Sequence, residues 1–297
     1  MVNTLPDLGA YVLKLRSLQS LKIENHMGRA SQELALRILD QADPALAQSL
    51  HDSDELKPFT ASGLLRAGST RSAYDWVRPG ESFWVRFTAL EKGVVEAFER
   101  FAAQPRGEIE FDKRGWGVEA VVTDPEAHPW AGRAHFADLL RLPTQPMPSP
   151  KITLNFASPT SFRSKGVDVP LPIPWLVFHS LTERWQVSIP IPLPEGLLDF
   201  VEQFVALTRY QLETSMIGGK NASKRVGFWG EATFSLMADN DSLKKHDPVL
   251  HQTLSSRRPE LLQALSALVR FAFFSGVGRQ TTTGMGMCEA GAVTESQ

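Results

Sequence analysis

The sequence predicts an α+β protein built from two domains, and three observations support this prediction. The chain has 297 residues, of which 42% are hydrophobic and 22% charged, and a globular chain of this length can form two cores. Both halves mix the period-two pattern of strands with the helical period. Between them, residues 142–150 contain four prolines in nine positions, which favours a semi-rigid connector. We therefore predict domains at 1–142 and 151–297, joined by a linker at 143–150.

The first half begins with a predicted strand at Leu8–Leu15 and a predicted helix at Gly28–Leu39. Asp43 followed by Pro44 is typical of a helix start, because Asp accepts hydrogen bonds from the first turn and Pro lacks an N–H that would stay unpaired there. The other predicted elements are strands at Phe59–Leu65, Ser82–Thr88, Gly107–Asp112 and Val118–Thr123, and a helix at Glu91–Ala103.

The second half opens with alternating apolar residues that predict a half-buried strand, at Ile152, Leu154 and Phe156. A second proline-rich stretch, Pro170–Pro174, leads into a short predicted helix. Apolar residues at Leu197, Val201, Phe204, Val205 and Leu212 predict a long amphipathic helix that starts at Glu195. A strand at Phe228–Leu236 and a helix at Pro259–Phe274 complete the prediction.

The most informative motif is the glycine-rich loop Gly276–Gly286, in which two Gly-hydrophobic-Gly triplets bracket five polar residues including Arg279. Glycine allows close backbone approach, and exposed N–H groups beside an arginine can hold a phosphate. A dinucleotide fingerprint would need a strand before the glycines and a helix after them. Here a predicted helix comes first, so we expect no nucleotide cofactor and favour a phosphodiester backbone as the ligand.

Five separated segments of the chain resemble the CRISPR-associated RNA-processing endoribonucleases of the repeat-associated protein superfamily. They are the glycine-rich loop, Asp43–His51 with Lys57–Ser62, Ile152–Arg163, Leu171–Trp175 and Gly227–Phe234. The resemblance implies two tandem ferredoxin-like (RRM-like) domains with a central cleft that holds CRISPR repeat RNA (pre-crRNA). It also implies cleavage without a metal or other cofactor, in which the 2′-hydroxyl attacks the phosphate and leaves a 2′,3′-cyclic phosphate and a 5′-hydroxyl.

The resemblance points to His51 and Lys57 as catalytic residues. Histidine suits proton transfer near neutral pH, and lysine can stabilise charge on the phosphate. Some relatives add a tyrosine fifteen residues before this histidine, where this chain has Leu36. Other relatives place their histidine earlier, so His26 and Arg29, which can share a helix face, also remain candidates. For any single histidine, a structural role is the competing interpretation.

The predicted RNA contacts combine the loop with nearby basic residues. Net charge is −2, which by itself argues mildly against nucleic-acid binding, but basic residues concentrate in the last third of the chain. The predicted contacts are Gly276, Gly278, Arg279, Gln280, Gly284, Lys224, Arg225, Arg163 and Lys165. The loop could instead pack against the N-terminal domain, and the two roles are compatible.

The remaining histidines and tryptophans are mostly predicted to be structural. We expect His128, His135 and His179 to pack, as well as Trp76, Trp84 and Trp116, and the same interpretation applies to Trp175 and Trp229. His246 and His251 lie in the basic region and could contact RNA.

Several function classes are disfavoured by what the sequence lacks. It has no apolar run long enough to span a membrane, no secretory signal and no paired metal ligands. Its one cysteine, Cys288, cannot form an internal disulfide, which fits a cytoplasmic protein. We predict a monomer or weak homodimer. Two other functions stay open: a non-catalytic RNA-binding subunit of a CRISPR effector complex, and an unrelated nucleotide-binding enzyme.

Overall fold

The computed structural model describes residues 5–23, 26–52, 56–72, 75–104, 107–141, 151–218 and 224–291, without the side chains of His51 and Lys224. The predicted linker at 143–150 lies outside these residues, so the domain boundaries stay predictions.

The N-terminal half forms a ferredoxin-like sheet. Its strands are β1 (Leu8–Ser17), β2 (Leu21–Lys22), β3 (Phe59–Ala61), β4 (Leu65–Arg66), β5 (Trp76–Val77), β6 (Ser82–Ala89), β7 (Glu108–Phe111), β8 (Arg114–Val122) and β9 (Gly132–Ala134), and its helices are α1 (Gly28–Ala42), α2 (Pro44–Asp52), α3 (Lys92–Ala102) and α4 (Phe136–Leu140). The strand order β3-β6-β1-β8-β7 places β1 between the third and fourth strands of a βαββαβ unit. One core forms where α1 and α3 cover this sheet.

The C-terminal half repeats the same topology. Its strands are β10 (Lys151–Thr160), β11 (Phe162–Ser164), β12 (Val167–Val169), β13 (Val205–Gly218), β14 (Lys224–Leu236) and β15 (Cys288–Ala290), and its helices are α5 (Pro174–Ser188), α6 (Leu197–Phe204), α7 (Asp241–His246), α8 (Pro248–Ser256) and α9 (Arg258–Ser275). The order β13-β14-β10-β15 again puts the first strand between the third and fourth. The predicted α+β class and the tandem ferredoxin-like domains are confirmed.

A buried arginine joins the N-terminal sheet to helix α9 of the C-terminal half. Arg86 on β6 donates from Nε to the Trp130 carbonyl and from Nη2 to the Phe273 carbonyl, both at 2.7 Å. The Trp130 and Phe273 rings stack with centroids 5.8 Å apart. Burial lowers the pKa of Arg86 to about 9, yet its two carbonyl partners compensate part of the lost hydration. The end of α9, and the loop that follows it, are thereby fixed against the N-terminal sheet.

One helix prediction was wrong, and a second helix is longer than predicted. The long helix from Glu195 through Leu212 is instead α6, which ends at Phe204, followed by β13. Its β-branched residues favour an extended chain, and pairing with β14 from Val205 opposite Leu236 to Gly218 opposite Lys224 outweighs the helical spacing. The predicted short helix after Pro170–Pro174 runs for fifteen residues as α5. By contrast, Asp43 caps α2 as predicted, accepting from the N–H groups of Ala45 and Leu46.

Candidate active site and nucleic-acid interface

The glycine-rich loop docks onto the start of α1 in the other domain. The N–H of Gly284 donates to the Ala61 carbonyl at 2.9 Å, and Gln32 Nε2 donates to Thr282 Oγ1 at 3.2 Å. A Cβ added to Gly28 would lie 2.0 Å from the Thr283 carbonyl oxygen. Glycine at position 28 is therefore what allows the backbone of the loop to touch the helix.

The glycines of the loop are buried and their N–H groups are used inside the protein. Gly276 donates to the Ala272 carbonyl at 3.0 Å, and Gly278 to Ser180 Oγ at 2.8 Å. Gly276, Gly278 and Gly284 also adopt positive φ, which glycine tolerates at no steric cost. The loop packs against the N-terminal domain, as the competing interpretation expects. The N–H groups of the three glycines are used in hydrogen bonds within the protein, and the RNA contacts of the loop stay predictions.

His26 lies directly under this loop. Its side chain is buried, and its Nδ1 has no hydrogen-bond partner among the described residues. Its Cδ2 would be 3.1 Å from a Cβ on Gly284. Burial lowers the pKa of His26 to about 4, although a hydrogen bond with the Thr283 backbone opposes this shift and the nearby charge of Arg29 adds to it. The ring is therefore neutral at pH 7. Arg29 itself is exposed on the first turn of α1.

The other catalytic candidates lie at the end of α2. His51 is in its last turn, but its side chain is outside the described residues. Lys57 donates from Nζ to the Leu50 carbonyl, so the ammonium group sits where the helix dipole favours a cation. Leu36, at the position of the family's tyrosine, is half-buried against the N-terminal core. That position supplies no proton-transfer group.

The basic residues beside the loop share one carboxylate that the sequence did not reveal. Arg163 donates to Asp168 Oδ1 at 3.1 Å, and Arg279 donates to the same oxygen. Lys165 lies in the turn between β11 and β12, exposed and at a φ of 47°. The structure thus brings Arg163, Lys165 and Arg279 together, and pairs two of them with Asp168.

This cluster opens into a cavity of about 640 Å³ between the β11–β12 hairpin, α5 and the glycine-rich loop. Leu56 and Gln280 line it too, so the cavity reaches the residue next to Lys57 and the turn that touches His26. The sequence did not predict the β11–β12 hairpin or the buried Arg184 that lines the cavity. Strands of three residues and a single arginine on an apolar helix give no recognisable sequence pattern.

Comparison with known proteins agrees with this architecture. The model of the CRISPR-associated endoribonuclease Cas6 family matches residues 154–288. A product complex of Thermus thermophilus Cas6 superposes with a TM-score of 0.72 at 26% identity, covering 96% of this chain and 99% of that one. A second Cas6 product complex gives 0.70 at 28% identity with the same coverage. The chain is therefore similar to the Cas6 family, in sequence over residues 154–288 and in fold along nearly its whole length.

The Cas6 match is uneven along the chain. The Cas6 endoribonuclease of Streptococcus thermophilus is 28% identical over 133 residues, which is 44% of this chain and 46% of that protein. The chain thus spans about half the length of the curated relatives it matches. The segment that fits the Cas6 family model contains the glycine-rich loop, whereas His26, Arg29, His51 and Lys57 precede it. Their roles stay predictions.

The remaining predicted contacts are not brought to the loop by any described interaction. Lys224 and Arg225 lie where β14 begins, paired with Gly218 and Ile217 of β13. Arg225 Nη1 is buried and, within the described part of the chain, has no hydrogen-bond partner. His251 Nε2 lies 2.5 Å from Asp239 Oδ1.

Two predictions about aromatic packing had different outcomes. His128 packs edge-on against Trp84 as predicted. Trp76 is 64% exposed, so its predicted place in the core was wrong.

No cluster of His, Cys, Asp or Glu in the described ranges could hold a metal ion. Likewise, none of the described helices is long and apolar enough to cross a membrane. Cys288 is buried, and burial raises the pKa of its thiol.

Proposed function

We propose that this protein is an endoribonuclease that cuts CRISPR repeat RNA into guide RNAs. The observation that carries the proposal is the buried, neutral His26, which lies against a glycine-rich loop flanked by three basic side chains and whose Nδ1 has no hydrogen-bond partner among the described residues. Relatives named as endoribonucleases and solved structures named as product complexes support the same assignment.

The proposed reaction needs no metal. The 2′-oxygen attacks the neighbouring phosphorus while its proton passes to a base, and the bond from phosphorus to the 5′-oxygen breaks as that oxygen takes a proton from an acid. His26 is the proposed base because it is neutral, and His51, the histidine to which the family resemblance points, is the proposed acid. Lys57 and Arg29 would stabilise the charge that develops on the phosphate.

The decisive experiment is single-turnover cleavage of the repeat RNA from the protein's own CRISPR locus, in EDTA. We expect His26→Gln and His51→Ala each to slow cleavage by on the order of 10²-fold or more, with RNA affinity nearly unchanged. His135→Asn is the matched control, because the described contacts of His135 are with Asp7 and with the first turn of α4, which Asn can also cap. Unchanged folding is checked by thermal denaturation.

Two outcomes would contradict the proposal. If the wild-type protein cuts only with added metal, or the product lacks a cyclic phosphate, the reaction is of another kind. If it binds the repeat tightly and never cuts it, the protein is instead an RNA-binding subunit of an effector complex. The replacement of the family's tyrosine by Leu36 favours this second function.

Whether the protein acts alone is a separate part of the proposal. We propose a cytoplasmic monomer or weak homodimer, and sedimentation analysis with and without RNA tests the oligomeric state.

A further inference from the structure

The cavity beside the glycine-rich loop has features that cleavage itself does not require. Its wall combines four cationic side chains with two stacked rings. They are Arg163, Lys165, Arg184, Arg279, Trp175 and His179. A packing surface would not need the cationic side chains, and a site for one phosphate would not need the rings. Together they favour a ligand with an anionic part and a flat part.

Arg184 is the residue of the cavity that most favours binding of an anion. Its side chain is only 5% exposed, and burial lowers its pKa to about 10. Its one hydrogen bond to a described residue runs from Nη2 to the Gly278 carbonyl, at 3.3 Å. A guanidinium has five donors, of which this hydrogen bond uses one, and Glu183, which also lines the cavity, offsets part of the cost of burying the charge. An anion in the cavity would satisfy the remaining donors and offset that cost.

Trp175 supplies the flat surface. Its indole stacks on the His179 ring with centroids 4.4 Å apart and an angle of 25° between planes. The side chain is 37% exposed, although most large aromatic residues of this domain are fully buried. The prediction that Trp175 packs in the core is therefore wrong. Exposed aromatic rings beside basic groups are how proteins stack single-stranded bases.

We propose that this cavity binds one unpaired nucleotide of the RNA, with the base on Trp175 and a phosphate between Arg184 and Arg279. The proposal rests on the proposed function in that the ligand is RNA. Gln280 lines the cavity and begins the turn that touches His26, so the bound nucleotide lies close to the cleaved bond. Asp168 holds Arg163 and Arg279 in place when no RNA is bound.

The test measures binding of a fluorescent adenosine pentaribonucleotide, a single strand too short to form a hairpin. We expect Trp175→Ala to weaken binding by about 5-fold to 150-fold, the range of a lost base stack, and Trp175→Phe to restore most of it. Trp76→Ala is the control, because Trp76 is an exposed tryptophan outside the cavity. Inorganic phosphate should compete with the pentamer in both wild type and Trp175→Ala.

Separate outcomes overturn this inference and the proposed function. If Trp175→Ala binds the pentamer as tightly as wild type while phosphate still competes, the cavity is an anion site only and the nucleotide site is wrong. An equal loss in Trp76→Ala overturns it too. If pentamer binding depends on Trp175 but wild type never cuts the repeat, the cavity proposal stands and the nuclease proposal fails.

Discussion

The two domains share one strand order but differ in the connection that leads to the last part of the sheet, from α3 to β7 in one domain and from α9 to β15 in the other. In the N-terminal domain α3 ends at Ala102 and β7 begins at Glu108, so the chain returns to its own sheet within a few residues. In the C-terminal domain Gly276–Met287 separates α9 from β15. This longer connection leaves its own sheet and docks on the other domain.

The docking site of the loop is built from equivalent parts of both domains. In each domain the loop contacts residues at or just after the end of the first strand. In the C-terminal domain Pro159 and Ser161 accept hydrogen bonds from Gly286 and Arg279. In the N-terminal domain His26 and Gly28 lie against Gly284 and Thr283. The same topology therefore has two uses: the C-terminal domain holds the backbone of the loop, and the N-terminal domain places the candidate catalytic His26 against it.

The largest expected effect comes from separating the loop from the N-terminal domain. Gly28→Ala places a Cβ 2.0 Å from a backbone carbonyl oxygen, and backbone cannot move aside as a side chain can. We expect a loss of about 3 kcal/mol or more in the free energy of unfolding, measured by urea denaturation. Gly107→Ala is the control, since nothing lies within 4 Å of its added Cβ. Equal stability of the two variants would show that the docking is not tight.

A slightly smaller effect should appear in the pH dependence of stability. The folded pKa of His26, about 4, is below its ordinary 6.5, so between these values the unfolded chain binds the proton more readily. Stability should rise with pH across this window and level off above it. Across the whole window this rise amounts to on the order of 3 kcal/mol in the free energy of unfolding, and it should be absent in His26→Gln. Parallel denaturation profiles for wild type and variant would mean that His26 is not buried against the loop.

A change at the exposed part of the loop should affect RNA binding alone. Arg279→Ala should weaken binding to repeat RNA several-fold and reduce the slope of log K against log salt by about 0.7 to 0.9, the value of one lost phosphate contact. Lys92→Ala, an exposed lysine on α3, should leave the slope unchanged. An unaltered slope in Arg279→Ala would assign the loop a packing role only.

The smallest expected effect has the opposite sign. Asp168→Asn removes the carboxylate shared by Arg163 and Arg279, both of which are partly exposed, and exposed pairs contribute about 0.2–1 kcal/mol each. RNA affinity should therefore rise about 2-fold to 5-fold. Glu202→Gln changes the net charge equally on a distant exposed helix surface and serves as the control. Weaker binding by Asp168→Asn would mean that Asp168 positions the arginines for RNA.

Local chemistry explains which elements were predicted well. Asp43 and Pro44 marked the start of α2, and the alternating Ile152, Leu154 and Phe156 marked β10. The error at Val205–Leu212 arose because residues spaced four apart also satisfy a strand with one face partly buried. Only the partner strand β14 decides between the two states.

The sequence alone determined the α+β class, the glycine-rich loop and the set of candidate histidines, because these depend on residue type and spacing along the chain. It could not determine that Gly28 receives the loop, that Asp168 pairs with two arginines, or that Arg184 and Trp175 line one cavity. Those relations join residues up to 255 positions apart, as Gly28 and Thr283 are, and only packing of the two domains sets their distances. Burial also set the pKa of His26, since lost hydration is a property of the folded surroundings and not of the residue.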